Sequence, residues 1–153
     1  MKRIIFTRAN GVLSVMTPAI NTHPERENIT EDEAVARALA KMPADAVGVQ
    51  VVDESAIPTD RTFRNAWVAS GATVTHDMAK ARNIHRDALR ALRKAKLEAL
   101  DIAYQRADED GNVAAKAAIA AKKRALRDVT SDPAIEAAAT PEALKAVLPE
   151  ALR

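Results

Sequence analysis

Asp77-Met-Ala-Lys-Ala-Arg-Asn-Ile-His-Arg-Asp-Ala-Leu-Arg-Ala-Leu-Arg-Lys-Ala-Lys-Leu-Glu-Ala-Leu-Asp-Ile-Ala-Tyr-Gln-Arg-Ala-Asp108 contains neither glycine nor proline, and this stretch decides the architecture. Alanine, leucine, arginine and lysine dominate it, and these strong helix formers predict one helix of roughly 30 residues and about 45 Å. Projected at about 100° per residue, Ala81, Ala88, Leu89, Leu92, Ala95, Ala99, Leu100, Ala103 and Tyr104 fill a broad apolar arc. Asp87, Arg90, Lys94, Asp101 and Asp108 lie opposite. Asp110-Gly111-Asn112 breaks the pattern, and residues 113 to about 129 resume it through Ala117, Ala121 and Leu126. The two segments are expected to fold back as an antiparallel hairpin with a buried alanine seam that includes Ala88, Ala95, Ala99, Ala117 and Ala121. A helix of roughly 30 residues has more apolar face than one of about 17 can cover. A partner is therefore expected over Leu89, Leu92 and their alanine neighbours.

Upstream the periodicity changes. Residues 4–8 and 12–17 flank Asn10-Gly11, a pair suited to the positive φ angles of a tight hairpin turn. Thr30 stands three residues before Glu33, the spacing of a capping box, so a helix is expected from Glu31 to about Lys41. Its apolar residues Val35, Leu39 and Met42 should pack on the hairpin, and Pro43 should end it. Val47, Val49, Val51 and Val52 predict one more strand, and Gly71 with Val74 a last extended piece. Downstream, Ser131-Asp132-Pro133 should halt the second long helix, and Thr140-Pro141-Glu142 reads as a cap with proline at the first helical position. Pro149 should close that short helix, leaving a tail ordered only by contact with something else. The expected class is α+β. Residues 1–75 form a small head of hairpin, helix and strand, residues 76–130 a long alanine-rich helical hairpin, and residues 131–153 a short helix and tail.

The chain has 153 residues, 48% hydrophobic but only 3% aromatic, so its core must be thin and built from small side chains. Formal net charge is +2, too balanced for whole-chain charge to mark a dedicated nucleic-acid binder. The absence of cysteine excludes disulfides, zinc thiolates and a cysteine nucleophile. The start has only three apolar residues in a row, so no secretory signal is expected, and no stretch has the roughly 18 apolar residues of a membrane span.

His23, His76 and His85 lack the spacing of a helical metal pair and are expected at the surface. No serine has nucleophile-elbow glycines, and with 4 glycines in all there is no phosphate-cradling loop. No catalytic residue, cofactor or metal is expected. Two clusters remain as candidates for interaction. Arg82, Arg86, Arg90 and Arg93 recur at spacings of four, four and three along one helix stripe, suited to ion pairs or to phosphates. Interleaved acids and the lack of stacking aromatics favour ion pairs, so nucleic acid is not the expected partner. In Asp60-Arg61-Thr-Phe63-Arg64-Asn-Ala-Trp67, Phe63 and Trp67 fit a core anchor, while Arg61, Phe63, Arg64 and Trp67 together fit a docking surface. The core reading is favoured because the chain has 1 Trp.

Ile57-Pro-Thr-Asp-Arg-Thr-Phe-Arg-Asn-Ala-Trp67, then Met78-Ala-Lys-Ala-Arg-Asn-Ile-His-Arg-Asp87, then Leu126-Arg-Asp-Val-Thr-Ser-Asp-Pro133, resembles a group of small proteins of tailed bacteriophages and prophages. The last segment is also similar to endings of phage tail-fibre and tail-assembly chaperone proteins. The resemblance implies a non-enzymatic, tail-associated structural protein located in the virion and in the host cytoplasm during assembly. Its implied partners are further copies of itself, as a homo-oligomer, and other tail or virion proteins. It transfers no catalytic residue. The alternatives are a tail-assembly chaperone absent from the mature particle, and a nucleic-acid-binding regulator using the arginine stripe.

Overall fold

The computed structural model describes residues 1–20 and 29–153, so His23 lies outside the described residues. The fold is α+β, in two compact units, Met1–Asp77 and Met78–Arg153. In the first unit β1 (Lys2–Thr7) and β2 (Leu13–Met16) form the expected antiparallel hairpin, Ile5 opposite Val15 and Thr7 opposite Leu13. The turn differs from expectation. Gly11 has φ +75°, but among the described residues none other than glycine has positive φ, so Asn10 does not complete a two-residue turn. Its side-chain oxygen accepts the Val12 N–H at 3.1 Å instead, and Arg8 N–H donates to Val12 O at 3.0 Å across a wider loop. Asp45 holds that loop, accepting from Ala9 N–H at 3.2 Å and Arg8 Nε at 2.9 Å.

β3 (Val47–Asp53) adds to the other side of β1, giving the strand order β2-β1-β3, with Arg3 opposite Val52 and Ile4 opposite Val51. The central strand is covered on both faces: Ile4, Ile5 and Phe6 are all buried. Ile5 shares a cluster with Leu13, Val52, Trp67 and Val74. Ile4 and Phe6 point the other way by strand alternation, toward the side where α1 (Glu31–Leu39) packs on β1. The capping box is present: Thr30 Oγ1 accepts from Glu33 N, and the Glu33 carboxylate accepts from Thr30 N–H at 2.8 Å. Of the expected face, Val35 and Met42 are half-buried while Leu39 is 39% exposed, and the fully buried residue of the helix is Ala34. On β3, Val47, Val49 and Val51 are also exposed, leaving Val52 alone in the core.

Trp67 opens β4 (Trp67–Ser70), which pairs with β5 (Thr73–His76) around Gly71, whose φ is +57°. This second hairpin is missed by a reading that gave Gly71 and Val74 only one extended piece. It exists because Gly71 supplies the positive φ of a tight turn between two β-capable runs.

In the second unit α2 (Met78–Glu109) is the expected long helix. Gly111, at φ +65°, and Asn112, whose side chain caps Ala115 N–H at 2.9 Å, turn the chain into α3 (Val113–Asp128). Lys116 pairs with Asp108 and Lys123 with Asp101, so an advance along α3 matches a retreat along α2 and the two run antiparallel. The seam is elsewhere than expected. Ala88, Ala95, Ala99, Ala117 and Ala121 are all exposed. Tyr104 of α2 lies under Lys116 and Lys123 of α3, whose ammonium groups stand 5.5 and 5.2 Å from its ring centroid, and Leu126 of α3 is buried at 3% exposure.

A single turn of 3-10 helix, Val129–Ser131, follows, and Asp132 caps α4 (Pro133–Ala137) through Ala134 N–H at 2.9 Å. The Ser-Asp-Pro stop is thus also a start. Thr140 caps α5 (Pro141–Lys145) as expected. The terminal stretch needs no outside contact for order: Glu150–Leu152 form another 3-10 turn, and Leu152 is buried.

Candidate functional site

α2 carries its polar residues in a ladder that faces its own unit. Arg82 donates to the carbonyls of Ile135, Glu136 and Ala138 at 3.0–3.1 Å, where α4 ends. Arg86 donates to Thr130 O at 3.2 Å and pairs with Glu136. Arg93 donates to Arg127 O at 2.6 Å and Leu126 O at 3.4 Å at the end of α3. His85 Nε2 meets Val147 O at 3.0 Å, and Lys96 Nζ donates to Leu152 O at 2.9 Å and Arg153 O at 3.0 Å. Helix C-termini leave carbonyls without intrahelical partners and carry partial negative charge, so cations are their natural caps. The stripe predicted for ion pairs or phosphates therefore staples the short C-terminal elements to α2. Arg90 is its one member that turns outward, 50% exposed and paired with Asp87 at 2.5 Å.

The sequence reading missed His85 and Lys96 as rungs of this ladder, although both share the stripe with Leu89 at helical spacings. It also placed His76 and His85 at the surface. His85 is 8% exposed, and His76 Nε2 accepts the Trp67 indole N–H at 3.0 Å. Buried imidazoles persist where each finds a partner for a ring nitrogen.

Leu89 is 1% exposed, covered by its own unit, so it needs no partner. Leu92 is 58% exposed. It belongs to a second apolar stripe on α2, Ala88, Leu92, Ala95, Ala99 and Ile102, whose spacings alternate four and three. Ile102 is 53% exposed and the three alanines are exposed too.

In the head, Asp60 Oδ1 accepts from Thr62 N–H at 2.8 Å and from its hydroxyl at 2.6 Å, forming a turn that presents Arg61. Phe63 and Trp67 are buried, at 3% and 2% exposure, so neither can serve as a docking side chain. Arg64 is exposed, and the Arg61 guanidinium stands over the Trp67 ring, 5.8 Å from its centroid. Between this turn and the sheet lies a cleft of about 230 Å³ lined by Arg3, Val15, Thr17, Glu54, Ile57, Pro58, Thr59, Arg61 and Trp67. Arg3 was not singled out from sequence, yet strand alternation puts it on the same face as Ile5. Its Nη2 pairs with Glu54 at 2.6 Å, while Nη1 is buried and meets no acceptor among the described residues.

Compared with family models, curated proteins and solved structures, the chain matches none. Among the described residues no helix is long and apolar enough to cross a membrane.

Proposed function

We propose that the chain is a non-enzymatic, tail-associated structural protein of tailed bacteriophages that acts by protein–protein assembly through α2. The observation that carries this reading is the exposed stripe Ala88, Leu92, Ala95, Ala99 and Ile102. Alternating spacings of four and three keep a helix face turned toward a second helix, and alanines at the seam let backbones approach closely. The stripe extends about 21 Å along the axis, long enough for four turns of pairing. Its expected partner is a helix of another copy or of another tail protein. The resemblance of residues 57–67, 78–87 and 126–133 to small phage proteins supplies the virion context.

Sedimentation of the full chain over a wide concentration range tests the assembly step. Leu92→Glu and Ile102→Glu should abolish self-association while circular dichroism stays unchanged. Mass spectrometry of purified particles tests the location. A protein that stays monomeric at every concentration, binds no tail component and is missing from particles overturns the reading.

A further inference from the structure

Formal charge is divided unevenly between the two units. Residues 1–77 carry 8 Lys+Arg against 10 Asp+Glu and residues 78–153 carry 15 against 11, so the net charge of +2 conceals a cationic second unit. The arginine stripe of α2 is taken up by carbonyls and carboxylates of its own unit, but α3 holds a different set of cations. Lys116, Lys122, Lys123, Arg124 and Arg127 lie on it, and its one acid is Asp128 at the C-terminal end. At about 100° per residue, Lys116, Lys123, Arg124 and Arg127 fall within an arc of about 100°. Asp108 and Asp101 of α2 pair with the two lysines. Arg124 and Arg127 are exposed and meet no carboxylate among the described residues. With Tyr104, Ala120 and Lys123 they line a cleft of about 500 Å³ that has no acidic side chain in its wall. Asp128 lines a different groove, with Asp132 and Glu150. Like charges three and four positions apart on a helix repel, so Lys123, Arg124 and Arg127 together call for an anion from outside the chain.

We propose that this face of α3 binds the phosphate backbone of double-stranded nucleic acid without regard to base sequence. Guanidinium forks match phosphate oxygens, and both free cations of the cleft are arginines. Lys116 and Arg127 are separated by about 16 Å along the axis, a span of about five phosphates of one strand at about 3.4 Å each. α3 has no Asn, Gln, Ser or Thr to read base edges, so its contacts position a backbone and carry no sequence information. The Tyr104 ring is occupied by the ammonium groups of Lys116 and Lys123, 5.5 and 5.2 Å from its centroid. It therefore offers no platform for an unpaired base, which favours a duplex over a single strand. An acidic protein is the poorer fit, because protein interfaces centre on aromatic and large apolar anchors, and the exposed neighbours on α3 are Ala117, Ala118, Ala121 and Ala125. The inference rests on α3 and stands whether or not α2 is an assembly surface.

Fluorescence anisotropy of labelled 20-base-pair DNA, titrated with the full chain, tests the proposal. Two unrelated duplex sequences should bind equally within about threefold, with a dissociation constant on the order of 10 μM near 50 mM salt, and the affinity should fall steeply as salt rises. Each phosphate contact contributes about 0.9 to the slope of log affinity against log salt, so the double variant Arg124→Gln, Arg127→Gln should reduce that slope by about 2 and the affinity tenfold or more. Both side chains are exposed, so the helical circular dichroism signal should not change. Arg37→Gln, which removes an exposed charge from α1, should leave binding within about twofold of the parent. Single-stranded DNA of the same sequence and poly-glutamate of matched charge should each bind at least fivefold more weakly. Absence of saturable binding at low salt, an affinity indifferent to salt or to the double variant, a tenfold preference between the duplexes, or equal or tighter binding of the single strand or of poly-glutamate overturns the proposal.

Discussion

Arg82 and Arg90 are the same residue type eight positions apart on one helix, yet they have opposite assignments. Arg82 bonds three carbonyls at the end of α4, whereas Arg90, half exposed, pairs with exposed Asp87. Hydrogen bonds to a charged group contribute about 1.5–3 kcal/mol when partly buried, and exposed ion pairs about 0–1 kcal/mol. Arg82→Met is therefore expected to lower unfolding stability by about 2 kcal/mol and Arg90→Met by less than about 0.5 kcal/mol, read by denaturant unfolding of the helical signal. Trp67 allows a comparable test in the head. It is 2% exposed, and Trp67→Ala should cost about 3–5 kcal/mol in chemical denaturation. Sequence spacing places Arg82, Arg86, Arg90 and Arg93 on one stripe, but it carries no information on which of them meets a carbonyl. That depends on where α3 and α4 end in space.

Two apolar stripes share α2, and only one is used inside the unit. Leu89, Leu100, Tyr104 and Ala107 face inward, while Ala95 and Ala99 are exposed. Added bulk separates the two. Ala107→Leu should overpack and cost about 1–3 kcal/mol, whereas Ala95→Leu should leave the melting transition of the isolated chain within about 0.5 kcal/mol of the parent. A comparable loss at Ala95 would place the contact with α3 on the wrong stripe. Helix length, the Asp-Gly-Asn break and the caps at Thr30, Asn112 and Thr140 are all legible locally, because each depends on neighbours within a turn. The choice of stripe is not, since periodicity admits both and burial goes to the one with larger side chains.

Three carboxylates of the head are held below their ordinary range, and they give this unit a response to acid. Asp45 is held below the usual carboxylate range, chiefly by the Ala9 N–H and then by Arg8. The Lys2 ammonium lowers Asp53, and the Thr30 backbone and hydroxyl lower Glu33. A depressed folded value means that the unfolded chain binds more protons, so this stability is present above the ordinary carboxylate value and is lost as pH falls through the folded one. Head unfolding followed by Trp67 fluorescence should therefore shift to lower denaturant as pH drops below about 4, and Asp45→Asn should flatten that dependence. Lys116 is raised by its bond to Asp108, so its contribution in the second unit is present at neutral pH and lost only at strongly alkaline pH.

Sequence alone determined that this chain is α+β, that a long uninterrupted helix dominates its second half, and where its caps and breaks fall, because backbone propensity and capping act over a few residues. It also pointed to Phe63 and Trp67 as a core anchor, since a chain so poor in aromatics has few other side chains large enough. Tertiary structure decided what each charge and each alanine does. Arg3 is an ordinary strand residue until β2, β3 and the turn before Trp67 close around it, and the arginine stripe is an ordinary charged face until the ends of α3 and α4 arrive beside it. Both outcomes rest on contacts between residues far apart in the chain, such as Arg82 with Ile135, and local periodicity does not encode such contacts.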